Sequence, residues 1–420
     1  MNSSDVVIEP DIHPDAETSY KALRRAIQRG VGFSLLFVRC TPVKGEEIVE
    51  RIKTDLPQKQ IEVLNLDANT ENLYHLVENL TEEQSFDVLF IRGLEESLFQ
   101  YEDREQLGIL GRSKGTGYGG NWESIPRILG HLNLSRERFR DNFKLCFVFL
   151  LPEFALNYFI RRAPDFFDWR SNTYQFPTEK GLVSRESYHL ACSYQEYCEY
   201  LPEQRIAKFA QIKAYLEEEP DSEERSSLWF EKGSIHAAAN GHEEALDSYD
   251  KALQLKPDHH KAWYNRGNVL SNLGRYEEAI DSYDRALEVK PDKQEAWCNR
   301  GIALSNLGRY EEAISAYDQT IEIKPDYHQA WDNRGVALGN WGRYEEAINS
   351  YDKALEIKPN DPNIYYNKAC AYSLQNAIEL ALENLQKAIQ LNPEEYREIA
   401  NTDSDFASIR HDPRFQALIQ

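Results

Sequence analysis

The residues best suited to chemistry lie at the end of the first strongly apolar run. FSLLFV (33–38) leads into RCTPVKGEEIVERI (39–52), where Lys44 and Gly45 are followed at once by Glu46 and Glu47. An apolar strand, a tight turn and a helix, in that order, is a setting in which proteins cradle phosphate. Backbone N–H groups freed by glycine surround the anion, a lysine meets the outer phosphates and a hydroxyl binds magnesium. Here the turn offers a single glycine, at its far end. Pro42 removes one N–H, no Ser or Thr follows the Lys-Gly pair, and Glu46 and Glu47 are placed in the first helical turn. Carboxylates there favour the positive helix end by ~0.3–1 kcal/mol and repel a triphosphate at the same point. The third apolar run, FDVLFI (86–91), ends in Arg92-Gly93 rather than in an acidic pair for magnesium, with Glu95 and Glu96 placed beyond the metal position. Both halves of nucleotide chemistry are therefore missing.

The remaining candidates are weaker. LGRSKGTGYGGNW (110–122), with Lys114, reads either as an unconventional phosphate or peptide loop or as a flexible insertion; no strand immediately precedes it, which favours the insertion. His189, Cys192 and Cys198 have x2 and x5 spacings without a clear fourth ligand, so a half-buried helix is the simpler reading than a metal site. Arg161 and Arg162 read as an anion site or as a solvated helix end. No Ser-His-Asp or Cys-His arrangement is recognisable from spacing. The expectation is a protein that is not an enzyme and has no cofactor and no metal.

The bulk numbers narrow the setting. The chain has 420 residues and a formal net charge of −22, with 41% hydrophobic and 28% charged residues. That charge argues against binding to nucleic acid or to an anionic membrane, both of which need clustered positive charge. None of the six cysteines forms a C-x-x-C pair, which suits a reduced cytosol. The opening MNSSDVVIEPD lacks the basic and apolar regions of a signal peptide, and no apolar run approaches the ~18–20 residues of a membrane span. A cytoplasmic location is expected.

The elements that must position these residues fall into two halves. In the second, prolines recur at 257, 291, 325, 359 and 393, in steps of 34 residues. Trp229, Trp263, Trp297 and Trp331 keep the step, with Tyr365 fifth; Gly233, Gly267, Gly301 and Gly335 follow, with Ala369 fifth. Such a period signals a helical-hairpin solenoid. Within one unit (261–291), Trp263, Gly267 and Leu270 share one helix face, and Ala279, Tyr283 and Ala286 share a face of a second helix. The small residues let the helices approach, while Tyr283 and Trp263 fill the layer between hairpins. Gly274 ends the first helix at φ > 0, and Pro291 stops the second. These residues are those of the tetratricopeptide repeat, which the stretch 226–395 resembles over five units. The fifth diverges, with Ala369 for glycine and Leu385 for tyrosine. Residues 396–420, carrying Phe406, Ile409, Phe415 and Leu418, are expected to be short helices capping the stack. Residues 178–225 are expected to be a helical linker. In it Ile206, Phe209, Ile212 and Leu216 have helical spacing, and an acidic break around Pro220 reads as a hinge or as a continuous cap of the solenoid.

The first half, 16–177, alternates apolar runs (33–40, 61–67, 86–93, 145–151 and 173–176) with helix-like stretches. That pattern predicts an α/β domain: a parallel sheet of about five strands with helices on both faces, followed by the all-α solenoid. The layout resembles the core of P-loop NTPases, in particular signalling ATPase domains that bacteria fuse to tetratricopeptide arrays, and RRAPDFFDWRSNTYQF (161–176) looks like part of such domains. Because the phosphate loop is degenerate, the resemblance implies an NTPase-like fold without NTPase function.

In tetratricopeptide arrays the first helix of each hairpin lines a concave groove. The resemblance puts Lys261, Tyr264, Asn265, Asn268 and Asn272 there in the second unit, and Glu295, Cys298, Asn299 and Asn306 in the third. Gln329, Asp332, Asn333 and Asn340 follow in the fourth, and Tyr366 and Asn367 in the fifth. Asparagine offers donors and an acceptor, so the row Asn265, Asn299, Asn333, Asn367 can grip an extended peptide backbone or bond to neighbouring hairpins. Chaperone-binding members hold a terminal carboxylate with lysines and an arginine; Phe230, Ser234, Gln329 and Asn333 stand in the corresponding places, without those charges. Arg266, Arg300 and Arg334 are expected to pair with Glu-Glu steps such as Glu277-Glu278. Two readings follow. One is an interaction scaffold or adaptor that holds a protein or peptide in the groove, with the first domain as a regulatory or docking module. The alternative is an ATP-dependent signalling switch with a noncanonical nucleotide site.

Overall fold

A computed structural model describes residues 15–98, 126–176, 194–218 and 220–420. Lys114 with its glycine-rich stretch, His189 and Cys192 lie outside the described residues. The chain divides into two compact units between Ala239 and Asn240.

The N-terminal unit is a five-stranded parallel sheet, β1 (Ser34–Arg39), β2 (Ile61–Asn65), β3 (Val88–Arg92), β4 (Cys146–Leu151) and β5 (Asn172–Gln175), in the order β2-β3-β4-β1-β5. The inner strands β1, β3 and β4 are apolar on both faces because both faces are covered, whereas the edge strands β2 and β5 carry polar residues and are less buried. Leu36, Val38, Val88, Phe90, Val148 and Leu150 pack under α1 (Ala16–Arg29) and α2 (Pro42–Asp55). Their alternate neighbours Leu35, Phe37, Leu89, Ile91, Phe147 and Phe149 face α3 (Leu73–Glu83), α4 (Arg127–Asn142), α5 (Glu153–Arg162) and the short α6 (Pro164–Phe167). The period of two along a strand sends successive side chains to opposite cores.

Three helices complete this unit: α7 (Tyr194–Glu199), α8 (Pro202–Glu217) and α9 (Ser222–Ala238). Ala210 and Ala214 of α8 join the sheet core, and the Glu217 carboxylate accepts from the Phe154 N–H at 2.8 Å. Helix α8 is thus packed against the sheet core. The acidic break after it is a helix start: Asp221 accepts from the Glu223 and Glu224 N–H groups, and Glu224 reaches back to the Asp221 N–H. That reciprocal arrangement is a capping box.

The C-terminal unit runs α10 (His242–Leu255), α11 (His260–Asn272), α12 (Tyr276–Val289), α13 (Gln294–Asn306), α14 (Tyr310–Ile323), α15 (His328–Asn340), α16 (Tyr344–Ile357), α17 (Pro362–Leu374) and α18 (Ile378–Leu391). The hairpin pairs are α11/α12, α13/α14, α15/α16 and α17/α18. Their turns need a left-handed residue, supplied by Gly274, Gly308, Gly342 and Asn376 at φ of 73°, 74°, 84° and 59°. Within a hairpin the glycine of the first helix lies under the tyrosine of the second. A Cβ built on Gly267, Gly301 or Gly335 would come within 2.6, 2.6 or 2.5 Å of Cε1 of Tyr283, Tyr317 or Tyr351. The fifth unit replaces both members together, with Ala369 against Leu385. The tyrosines carry the filling. Trp263, Trp297 and Trp331 are only half-buried, their indole N–H groups donating to the carbonyls of Pro257, Pro291 and Pro325. After α18 come α19 (Pro393–Thr402), a 3-10 turn (Ser404–Phe406) and α20 (Pro413–Ile419). Phe406, Ile409 and Phe415 are buried there against Tyr366, Leu385 and Tyr396.

Candidate functional site

Two places bring the sequence-derived candidates together. The first is a cavity of about 240 Å³ in the N-terminal unit, lined by Cys40, Thr41, Pro42, Glu46, Arg92 and Glu95 among others. It opens at the carboxyl ends of β1 to β4, where open parallel sheets bind ligands. Locally, few donors are left free for an anion. Only Cys40 and Thr41 separate β1 from α2, and Pro42 is the first helical residue, so no loop exists to wrap a phosphate. The Thr41 hydroxyl accepts from the Lys44 N–H at 3.3 Å, and the Thr41 carbonyl takes the Gly45 N–H at 2.9 Å. With Pro42 lacking a donor, the helix start is already capped. Lys44 Nζ donates to Glu47 at 2.8 Å, and Arg92 bridges to Glu46 at 2.7 Å.

Two expectations change here. Because α2 begins at Pro42, Glu46 and Glu47 lie past its first turn and have little leverage on the helix dipole. Glu95 and Glu96 are not beyond the site but line it. The turn that returns them is Gly93 at φ 86°, where a Cβ would strike the Leu66 carbonyl at 2.1 Å. That glycine after an apolar strand was the available sequence signal. Glu95 is 8% exposed, and its Oε2 has no hydrogen-bond partner among the described residues. Burial raises its carboxyl to about 7. Burial, then Asp67, raises Glu96 to about 7.

The second place is the first-helix face of the solenoid. Asn299 Nδ2 donates to Asn268 Oδ1 at 2.9 Å and to the Tyr264 hydroxyl at 3.2 Å, while Asn268 Oδ1 also accepts from the Tyr283 hydroxyl at 2.9 Å. Asn333 Nδ2 reaches Cys298 Sγ at 3.8 Å, and Asn367 Nδ2 donates to Asp332 at 3.1 Å. The amide N–H groups of this row therefore bond to the preceding hairpin, and Asn268 lies inside the lattice they form. The Oδ1 atoms of Asn299, Asn333 and Asn367 have no partner among the described residues. Asn265, half-buried, likewise has no hydrogen bond among them. Lys261 and a second row, Asn272, Asn306 and Asn340, are exposed. Asn306 Nδ2 donates to the Ile302 carbonyl at 3.0 Å, back into its own helix.

The basic residues beside the repeat glycines pair differently from expectation. Arg266, Arg300, Arg334 and Lys368 meet Asp250, Asp284, Asp318 and Asp352 of the preceding helix at 2.7, 2.6, 2.8 and 2.5 Å. Arg266 and Arg334 also donate to Ser282 and Ser350 in the following helix. The Glu-Glu steps are held instead by Arg275, Arg309 and Arg343 at the start of their own helices. The sixteen-residue separation joins consecutive hairpins, which a pairing inside one hairpin would not do. Arg161 donates to its own helix at the Asn157 carbonyl, and Cys198 is an exposed free thiol.

A family model described as the cilia and flagella-associated protein 70 C-terminal domain matches residues 202–407. Among solved structures, the chain is similar to the crystal structure of MamA at 22% identity, over 39% of this chain and 95% of that one, with a TM-score of 0.37. It is similar to YrrB, titled a TPR protein with an unusual peptide-binding site, at 28% identity, over 40% and 87%, with a TM-score of 0.37. MamA from Desulfovibrio magneticus RS-1 matches at 20% identity, over 41% and 97%, with a TM-score of 0.39. No curated protein matches the chain. The chain carries a TPR-like helical repeat. No helix among the described residues is long and apolar enough to cross a membrane.

Proposed function

We propose that this protein is an interaction scaffold whose repeat stack holds a segment of a partner polypeptide along the first-helix face. The observation that carries the reading is the row of acceptor oxygens on Asn299, Asn333 and Asn367, each fixed in direction by its amide bond to the preceding hairpin. Adjacent packed helices stand about 8–10 Å apart, close to one three-residue turn of extended polyproline II chain, about 9 Å, in which every third N–H points the same way. Each hairpin can then accept one backbone N–H from such a chain, with the exposed Asn272, Asn306 and Asn340 alongside. The domain division of this reading is 16–177 as a degenerate P-loop-like module, 178–225 as a linking segment, 226–395 as the repeats and 396–420 as a cap. A reduced cytosolic setting and a bacterial signalling context belong to the same reading, and the buried free thiols Cys40, Cys146, Cys298 and Cys370 agree with it.

The test uses the full chain as bait beside an Asn272→Arg/Asn306→Arg variant, whose changes fall on exposed positions away from the fourth hairpin. A partner cross-linked to α13 and α15 in the parent and lost in the variant is expected. Identical capture by both baits refutes the groove.

For the N-terminal unit we infer a docking module without nucleotide turnover. The capped helix start and the Lys44–Glu47 and Arg92–Glu46 pairs support this. Fluorescent ATP titrated with and without Mg²⁺ should show no saturable binding. Micromolar binding that disappears on Lys44→Ala would replace this reading with a nucleotide-dependent switch.

A further inference from the structure

The fourth hairpin breaks a pattern that the earlier hairpins keep. In the second, the buried Tyr283 hydroxyl donates to Asn268; in the third, the Tyr317 hydroxyl meets Ser305 Oγ at 3.5 Å. The residues in those two places in the fourth hairpin are Val336 and Gly339, neither with a polar side chain. Tyr351, 3% exposed, is left with a hydroxyl that has no hydrogen-bond partner among the described residues. The missing side chain of Gly339 leaves space as well. A cavity of about 360 Å³ opens there, lined by Gly339, Tyr344, Tyr351, Tyr366, Asp403 and Asp405 among others.

The chemistry of that cavity is one-sided. Asp403 accepts from the Tyr366 hydroxyl at 2.6 Å and from the Asp405 N–H at 2.9 Å. Asp332 is tied to Asn367, another lining residue, at 3.1 Å. No Lys or Arg side chain makes an ion pair with Asp332, Asp403 or Asp405 among the described residues. Arg410 instead donates to the Asp403 main-chain carbonyl. Elsewhere in the stack even the more exposed aspartates Asp250, Asp284, Asp318 and Asp352 all have a cation. Burial raises Asp332 to about 6, and burial with the nearby Asp403 raises Asp405, as uncompensated carboxylates in a low-dielectric site should be. Three tyrosine rings add π faces, which attract cations and repel anions.

We propose that this pocket takes a single cationic side chain, an alkylammonium or guanidinium, from the partner segment held on the first-helix face. The ligand supplies the positive charge that the fold withholds, donating to Asp403, Asp405 and the Tyr351 hydroxyl between aromatic walls. The volume lies near the lower end for ligand pockets, which suits one side chain rather than a peptide. The inference rests on the groove reading, and it gives that groove a charge preference at its C-terminal end.

The test titrates the full chain with N-acetyl-lysine methylamide and with its neutral analogue N-acetyl-norleucine methylamide, followed by saturation-transfer difference NMR. The lysine amide should bind at least about tenfold more tightly than the neutral one. Asp403→Asn/Asp405→Asn should abolish that preference. Gly339→Ser, which copies Ser271 and Ser305 of the earlier hairpins and gives Tyr351 a partner, should weaken binding while leaving the circular dichroism spectrum unchanged. Equal binding of the two amides, or a preference that survives both variants, overturns the proposal. So does stoichiometric Zn²⁺ uptake dependent on Cys370 with no binding of either amide, since Cys370, Asp403 and Asp405 offer ligand atoms within 4.8 Å of one another. The probes need no partner. A chain that binds the lysine amide but captures the same proteins with and without its exposed asparagines loses the groove reading and keeps the pocket. The opposite pattern does the reverse.

Discussion

Gly301→Ala sets two opposing effects against each other. In a helix interior alanine is favoured over glycine by ~1 kcal/mol. At position 301 the added methyl would lie 2.6 Å from Cε1 and 2.9 Å from Cζ of Tyr317. Carbon atoms pack at ~3.5–4.0 Å, so the ring or the helix must move by most of an ångström. Tyr317 is 1% exposed, which leaves its ring no route into solvent. Overpacking of this kind costs ~1–3 kcal/mol. The single substitution should therefore destabilise by up to ~2 kcal/mol, against its helix propensity. In a Tyr317→Leu background the ring is gone and only the propensity term remains. There the same substitution should stabilise by ~0.5–1 kcal/mol. The fifth hairpin already carries this pair, Ala369 with Leu385. Urea unfolding of the four full-length proteins, followed by far-ultraviolet circular dichroism, closes the cycle. If Gly301→Ala has the same effect in both backgrounds to within ~0.5 kcal/mol, the steric argument for the glycine is refuted.

Glu95 makes stability depend on pH. Burial raises its carboxyl from 4.5 to about 7, so in that window the folded chain holds a proton that the unfolded chain has released. Stability from this group is complete at low pH and falls as pH rises through ~4.5 to ~7, by ~3 kcal/mol in total. Glu95→Gln should match the parent near about pH 4 and exceed it by up to ~3 kcal/mol near about pH 8; a difference that does not change with pH rules the account out. Phe406→Ala, at a ring that is 0% exposed against Tyr366 and Phe415, should cost ~3–5 kcal/mol. In a stack whose units contact only their neighbours that loss stays local, so amide exchange should accelerate in α17 to α20 and not in α11 to α12. Uniform acceleration across the stack would contradict it.

Period and element type were legible in the sequence because they depend on residues near one another along the chain. The 34-residue step, the turn glycines and the five apolar strand runs all follow from local spacing. Even the joint change of Gly to Ala369 and Tyr to Leu385 could be read, since both positions keep their place in the repeat. The start of α2 at Pro42 was not read, because whether Thr41 caps a helix or opens a loop depends on how closely β1 and α2 are drawn together by Ile48 and Ile52 against the sheet. The partners of Asn299 stayed open, and Arg300 was assigned to a Glu-Glu step rather than to Asp284, for the same kind of reason. Periodicity tells which helix face a side chain is on, but not which hairpin it reaches once the hairpins stack. Docking of α8 onto the sheet core and the return of Glu95 through Gly93 belong with these. Each joins residues distant in sequence, and only tertiary packing sets how deeply their polar atoms are buried and whether another group is left to meet them.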